Sequence, residues 1–93
     1  MKKVIISVKD TVAEIFNDPR VEINAASAIR AFTQSIKDNQ NKDDFTLYII
    51  GEFNTQNGEV KPCEPVKIFS GHDVTADEKH YMKGIDEQKA FGS

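Results

Sequence analysis

The first clear pattern in the sequence is an alternation of apolar and polar residues over residues 3–9. Successive side chains of a strand point to opposite sides, so Val4, Ile6 and Val8 would share one face. The other face would combine charged, polar and apolar groups, namely Lys3, Ile5, Ser7 and Lys9. The pattern therefore predicts a strand with one face in the core and a mixed second face.

Residues 11–16 predict a second strand, which a turn at residues 17–19 would end. Asn and Asp favour turns through bonds from side chain to backbone, and proline cannot donate a ladder hydrogen bond. A short helix is the alternative for this segment, because Thr11 and Glu14 have the spacing of a capping box. The strand is the preferred interpretation.

An amphipathic helix is expected to begin after Asn24, which is a favourable N-cap residue. Apolar residues then recur at steps of three and four, which places them on one side of a helix. This apolar stripe consists of Ala25, Ala28, Ile29, Phe32 and Ile36. The outward side of the helix consists of Arg30, Thr33, Gln34 and Lys37. The polar segment 38–44 would end the helix after about four turns.

Residues 45–53 predict the most regular strand, which is followed by a hairpin signal at Asn57 and Gly58. The returning strand would occupy residues 59–61 and 66–69, with Pro62 and Pro65 confining it to a sheet edge. Within residues 45–53, the alternation places Phe45, Leu47, Ile49 and Phe53 on one face of the strand. Thr46, Tyr48, Ile50 and Glu52 lie on the other face.

Together these elements predict an α+β domain over residues 1–69, in the order β-β-α-β-β. A mainly antiparallel four-stranded sheet would be covered on one face by the single helix. Residues 70–93 are more polar and would form a C-terminal tail, either flexible or a short helix beginning near Thr75. The expected core is the helix stripe packed on Val4, Ile6, Val8, Leu47, Ile49 and Phe53.

Composition agrees with a small sheet-rich protein. The 93 residues fit a single domain, and β-branched Ile and Val far outnumber leucine, which occurs only at position 47. One cysteine cannot form an intrachain disulfide, and no apolar run is long enough to span a membrane. The apolar stretch near the N-terminus is too short for a signal peptide, so we expect a cytoplasmic protein.

Side chains that could support catalysis or bind a metal are few. Cys63, His72 and His80 form no close ligand pair of the kind that structural zinc sites use. The sequence also contains no glycine-rich phosphate loop and no nucleophile-elbow motif. We therefore expect no enzymatic activity, no metal and no cofactor.

The sheet face opposite the helix suggests two kinds of binding. Residues 1–69 carry nine Lys and Arg against ten Asp and Glu, so this region is nearly neutral overall. A sheet face with lysines and an aromatic residue can stack single-stranded bases. Apolar groups on the same face could instead be buried in an oligomer, most simply a homodimer. The nucleic-acid candidates are Lys3, Lys9 and Tyr48, with Arg30 and Lys37 on the outer side of the helix, and the self-association candidates are Ile5, Tyr48 and Ile50.

Three segments carry a family resemblance: KVIISVKDT at residues 3–11, AASAIRAF at 25–32 and DDFTLYIIGEF at 43–53. In this order and spacing they resemble the small nonstructural protein of gokushoviruses, which are single-stranded DNA phages of the Microviridae. The resemblance implies a non-enzymatic protein of phage DNA metabolism in the host bacterial cytoplasm, absent from the virion. It would promote the switch from duplex replication to single-stranded genome synthesis and packaging. Either single-stranded DNA binding or an oligomeric module acting on viral or host replication proteins could serve that role.

Overall fold

A computed structural model of the chain describes residues 1–74 and confirms the predicted α+β class. Short 3₁₀ turns at Lys42–Asp44 and Gly71–Asp73 flank the C-terminal hairpin. The short helix expected after Thr75 lies outside the described residues. The strands and the helix are β1 (Lys2–Asp10), β2 (Ile15–Phe16), β3 (Arg20–Glu22), α1 (Ala25–Ile36), β4 (Phe45–Asn54) and β5 (Val60–Ser70).

The described sheet is antiparallel and has five strands, one more than expected. β1 and β4 form its centre, and β5 lies on one edge, as the prolines predicted. β2 and β3 share the other edge, where they pair with successive parts of β1. The additional strand, β3, is only three residues long and lies between Pro19 and the helix cap at Asn24. The sequence pattern assigned no element to these residues, and only their pairing with β1 makes them a strand.

The predicted second strand is correct only at Ile15–Phe16. The preceding residues form a turn, neither a strand nor the alternative helix. The Asp10 side chain stabilises this turn, because its Oδ1 accepts hydrogen bonds from the backbone amides of Val12 and Ala13, each at 3.0 Å. Glu14 then adopts a positive φ of 61°, which returns the chain towards β1.

A β-bulge in β4 changes which residues share a face of the sheet. Ile6 pairs with Ile49 but Ile5 pairs with Gly51, so Ile50 is left without a partner on β1. An extra residue of this kind inverts the alternation beyond it. Phe53 consequently pairs with Lys3 on the face away from the helix. The prediction that Phe53 shares the core face with Leu47 and Ile49 is therefore wrong.

The core lies between α1 and the sheet, as the helical and strand periodicities predicted. The Asn24 side chain caps the helix by accepting a hydrogen bond from the Ser27 amide at 2.8 Å. Thr33, expected to face outward, is instead fully buried. The buried apolar residues are Ile6, Ala28, Phe32, Ile36, Leu47 and Val74, and those packed against them are Val4, Val8, Ile29, Phe45, Ile49, Ile68 and Phe69.

The packed structure continues to residue 74, beyond the position where the sequence pattern placed the start of a tail. Val74 is only 2% exposed and belongs to the core cluster. Gly71 is buried against the backbone of Lys42, where a β-carbon would overlap the carbonyl oxygen. The two 3₁₀ turns therefore pack together and close one end of the core.

Candidate nucleic-acid interface

The sheet face opposite α1, here called the open face, can be defined from the strand register. Residues directly opposite each other in antiparallel strands point to the same side. Ile6 and Leu47 face the helix, so the pairs that contain them also face it. The pairs that alternate with these, such as Ser7 with Tyr48, face away from the helix. Twelve residues of this face are Lys3, Ile5, Ser7, Lys9, Phe16, Val21, Tyr48, Gly51, Phe53, Val60, Pro62 and Lys67.

The register leaves the open face without a paired acidic residue, whereas the helix side carries charges of both signs. Lys3, Lys9 and Lys67 all belong to the open face. Among the paired residues of the described sheet, every acidic side chain lies on the helix side; these are Asp10, Glu22 and Glu52. The open face is therefore basic, although residues 1–69 as a whole are nearly neutral.

An aromatic cluster lies at one end of the open face. The rings of Phe16 and Tyr48 meet edge to face, with 5.2 Å between their centroids and 65° between their planes. Lys9 Nζ lies 5.5 Å from the Phe16 centroid, a cation–π distance. Lys67 is the cross-strand neighbour of Tyr48 on β5. Two rings and two lysines thus meet in one patch.

A second aromatic–lysine pair lies at the other end of the open face, where Lys3 and Phe53 are directly opposite each other. Lys3 and Lys9 are separated by six residue steps along β1, or about 20 Å at the rise of an extended strand. The open face thus places an aromatic group and a lysine at both ends of a continuous surface.

The segment between β2 and β3 holds Phe16 in position. The Ser7 hydroxyl donates a hydrogen bond to the Asn17 carbonyl at 2.7 Å, and the Asn17 amide donates to the Val8 carbonyl at 2.8 Å. Ser7 is only 2% exposed, so this contact is shielded from water. Phe16 is adjacent to this anchor and 42% exposed, which leaves much of its ring available to a partner.

The structure brings some of the sequence-derived site residues together and separates others. Lys3, Lys9, Tyr48 and Ile5 share the open face, whereas Ile50 is the unpaired residue of the bulge. The other two candidates, Arg30 and Lys37, belong to α1 and its C-cap, on the other side of the sheet, and both have interaction partners within the protein.

Sequence reasoning missed three of the aromatic and basic residues of the open face, namely Phe16, Phe53 and Lys67. Phe16 could have been found from a tight β1–β2 hairpin, which places it opposite Lys9. Lys67 requires the β4–β5 register, which shifts between Leu47 and Tyr48. Phe53 was assigned to the wrong face because the bulge at Ile50 was not foreseen, although an isolated glycine within a strand pattern, here Gly51, is a signal for a bulge.

Other reactive side chains lie apart from one another. Cys63 is exposed in the half of β5 nearer the hairpin loop, whereas His72 lies beyond the opposite end of that strand. His72 Nδ1 is 3.8 Å from a carboxylate oxygen of Asp43. His80, the third of the potential metal ligands named from the sequence, lies outside the described residues.

A cavity of about 250 Å³ lies beside the β2–β3 edge, near the C-terminal end of α1. Most of its apolar lining comes from the helix side of the sheet, although Ser7, which belongs to the open face by register, also lines it. Its apolar lining residues are Ile6, Val8, Ile36 and Phe45, and its polar ones are Ser7, Asn17, Asp18, Arg20, Ser35 and Asn39. Within residues 1–74, no helix has the length and apolar character needed to cross a bilayer.

Comparison with known families places the chain among bacteriophage proteins. The model of a family described as "Phage ORF5 protein" matches residues 3–74, which include the helix and almost all of the sheet. No curated protein and no solved structure matches the chain. The match extends over most of the sequence, so the chain belongs to the phage ORF5 protein family.

Proposed function

We propose that this member of the phage ORF5 protein family binds single-stranded DNA on the open face of its sheet. The observation that carries the proposal is the charge of this face, which holds Lys3, Lys9 and Lys67 and no paired acidic residue of the described sheet. Lysines supply the phosphate contacts that dominate affinity for nucleic acids. The aromatic side chains Phe16, Tyr48 and Phe53 supply surfaces on which bases stack.

The aromatic groups favour single strands over duplexes. A base in a duplex is already stacked on both sides, whereas an unpaired base can leave the stack and lie on a protein ring. Each such contact contributes about 1–3 kcal/mol and tolerates any base, because every base has a π-face. The exposed ring of Phe16 and the half-buried rings of Tyr48 and Phe53, each beside a lysine, therefore suit a binder of single strands with little sequence preference.

In the phage, this binding would act on newly made single strands. A protein that covers the displaced strand hinders its conversion back to duplex, and so favours synthesis of single-stranded genomes. This role agrees with membership of a phage family and with the resemblance to the gokushovirus nonstructural protein. We place the activity in the host bacterial cytoplasm, outside the virion and without a catalytic step.

Two lysine pairs on the same strands provide a matched test. Lys3 and Lys67 belong to the open face, whereas Lys2 and Lys61 belong to the helix side of β1 and β5. The double variants Lys3→Ala/Lys67→Ala and Lys2→Ala/Lys61→Ala remove the same charge. Fluorescence anisotropy with a labelled oligothymidylate, at two salt concentrations, compares both variants with the parent.

We expect the open-face variant to lose at least tenfold in affinity and the helix-side variant to lose little. The slope of log K against log salt should fall by about 0.7 for each phosphate contact removed. Equal losses in both variants would place the DNA elsewhere on the protein. A parent that does not bind the oligonucleotide even at low salt would refute the proposal.

A second candidate function is that of an interaction module acting on viral or host replication proteins. The exposed apolar side chains of Val21 and Ile23, which lie on and just after β3, favour it, because neighbouring large apolar groups at a surface often mark protein contacts. A parent that fails to bind DNA but binds the replication initiator of its phage would support this alternative.

A further inference from the structure

The outer side of β3 is an unpaired edge in the described sheet. β3 pairs with β1 on its inner side, and no other described strand lies beyond it. Val21 is 48% exposed there and Ile23, just after the strand, is 52% exposed. An edge with free ladder groups and exposed apolar side chains can accept another strand.

The symmetry of a dimer restricts how two copies of β3 can pair. Two antiparallel strands related by a two-fold axis perpendicular to the sheet must place one residue opposite its own copy. Directly opposite side chains lie on the same face of the sheet, so a residue cannot be opposite the copy of its sequence neighbour, which lies on the other face. Centring the pair on Arg20 places two arginines together, and centring it on Glu22 places two glutamates together. Centring it on Val21 places Arg20 opposite Glu22 of the second copy, and does so twice. Only this register avoids opposing like charges.

The residues that flank β3 also limit it to this register. Pro19 immediately precedes the strand and has no amide hydrogen to donate. Asn24 immediately follows Ile23 and caps α1, so the extended chain ends there. The pairable segment is thus centred close to Val21. The same register brings Ile23 opposite Pro19 of the second copy, which adds an apolar contact at each end.

We propose that a second copy of this chain docks along β3, with Val21 at the two-fold axis and Arg20 opposite Glu22 of the second copy. Neither Arg20 nor Glu22 has an ion-pair partner among the described residues. The ladder is short, and interfaces much below about 1,200 Å² are usually weak. The dimer should therefore form at micromolar to tens-of-micromolar concentrations of protein.

This dimer goes beyond the proposed DNA binding and does not depend on it. The two-fold axis is perpendicular to the sheet, so the open faces of both copies lie on the same side of one continuous sheet. Pairing the open faces with each other would instead bring together Lys3, Lys9 and Lys67 of both copies. The distribution of charge therefore favours the edge over the face as the contact between copies.

Charge reversal tests both the contact and its register in the full-length chain. Sedimentation velocity over a range of concentrations gives the dissociation constant of the parent dimer. Arg20→Glu and Glu22→Arg each create two like-charge contacts across the axis, and each should weaken the dimer at least tenfold. The double variant Arg20→Glu/Glu22→Arg restores opposite charges and should recover most of the parent affinity. Thermal melting of each variant verifies that the monomer still folds.

A pair of valine variants supplies a second measurement. Val21→Lys places two ammonium groups at the axis and should abolish the dimer. Val60→Lys is the matched control, because Val60 is similarly exposed, at 58%, but lies on β5 at the opposite edge. A parent that stays monomeric at 200 μM, reversals that leave the dimer unchanged, or a double variant that does not recover would each overturn the proposal. Loss of DNA binding alone would refute only the proposed function, since sedimentation is measured without DNA.

Discussion

Ile5 of β1 lies directly opposite Gly51 of β4, and its Cδ1 atom comes within 3.4 Å of the place that a β-carbon on Gly51 would take. The Lys61 carbonyl oxygen on the next strand lies even closer, at 2.8 Å from that position. The absence of a side chain at residue 51 therefore lets β5 and Ile5 approach β4 from two sides. This close approach lies next to the bulge at Ile50, which determines the face that Phe53 occupies.

Gly51→Ala should destabilise the protein by about 1–3 kcal/mol, because the added methyl group meets backbone that cannot rotate away. Thermal or urea unfolding measures the loss. Gly58→Asn is the matched control: Gly58 has a φ of 76° and open space around it, and asparagine tolerates that conformation. A Gly51→Ala variant as stable as the parent would show that the strands can move apart at no cost.

Phe32→Ala should destabilise the protein by about 3–5 kcal/mol, which is a large part of the total stability of a domain of this size. Phe32 is 1% exposed and packs edge to face against Phe69, with their centroids 6.2 Å apart. Phe16→Ala is the comparison, since that ring is 42% exposed and should cost much less. Circular dichroism during thermal unfolding distinguishes the two, and similar melting temperatures would contradict this description of the core.

Residues 70–74 should be needed for full stability. A chain ending after Val74 should unfold cooperatively, whereas one ending after Phe69 loses a buried valine and the contact between Gly71 and Lys42. Burying one large aliphatic side chain contributes about 1.5–3 kcal/mol. Urea unfolding of the two truncated proteins measures the difference, and equal midpoints would show that the five residues add nothing.

Those parts of the fold that depend on local periodicity were predictable from the sequence. The helix after Asn24 and the long strands β1 and β4 follow from apolar spacing that a single segment displays by itself. β3 could not be predicted in this way, because its three residues become a strand only through pairing with β1. Thr33 shows the same limit: it lies outside the apolar stripe, and only the packing of the whole fold buries it.

The candidate site was predictable where the alternation was regular, and not beyond the bulge. Lys3, Lys9 and Tyr48 follow from the simple two-residue period of a strand. The unpaired Ile50 inverts that period for the rest of β4, so Phe53 moves from the expected core to the open face. The basic charge of the open face also depends on register, which is a property of strand pairs and not of single segments.

The position of Phe53 makes stability and DNA binding separable. If regular alternation held, Phe53→Ala would open a core cavity and cost about 3–5 kcal/mol. Because the bulge places this ring on the open face opposite Lys3, we expect a loss of stability below about 1.5 kcal/mol, since little core packing is removed.

The Phe53→Ala variant should also weaken binding of an oligothymidylate by about 1–3 kcal/mol, which is the contribution of one stacked base. Phe53→Trp preserves a stacking surface and should keep both properties. Urea unfolding and fluorescence anisotropy on the same preparations provide the two measurements. A Phe53→Ala variant as unstable as Phe32→Ala would show that the ring packs in the core, and unchanged DNA affinity would show that no base stacks on it.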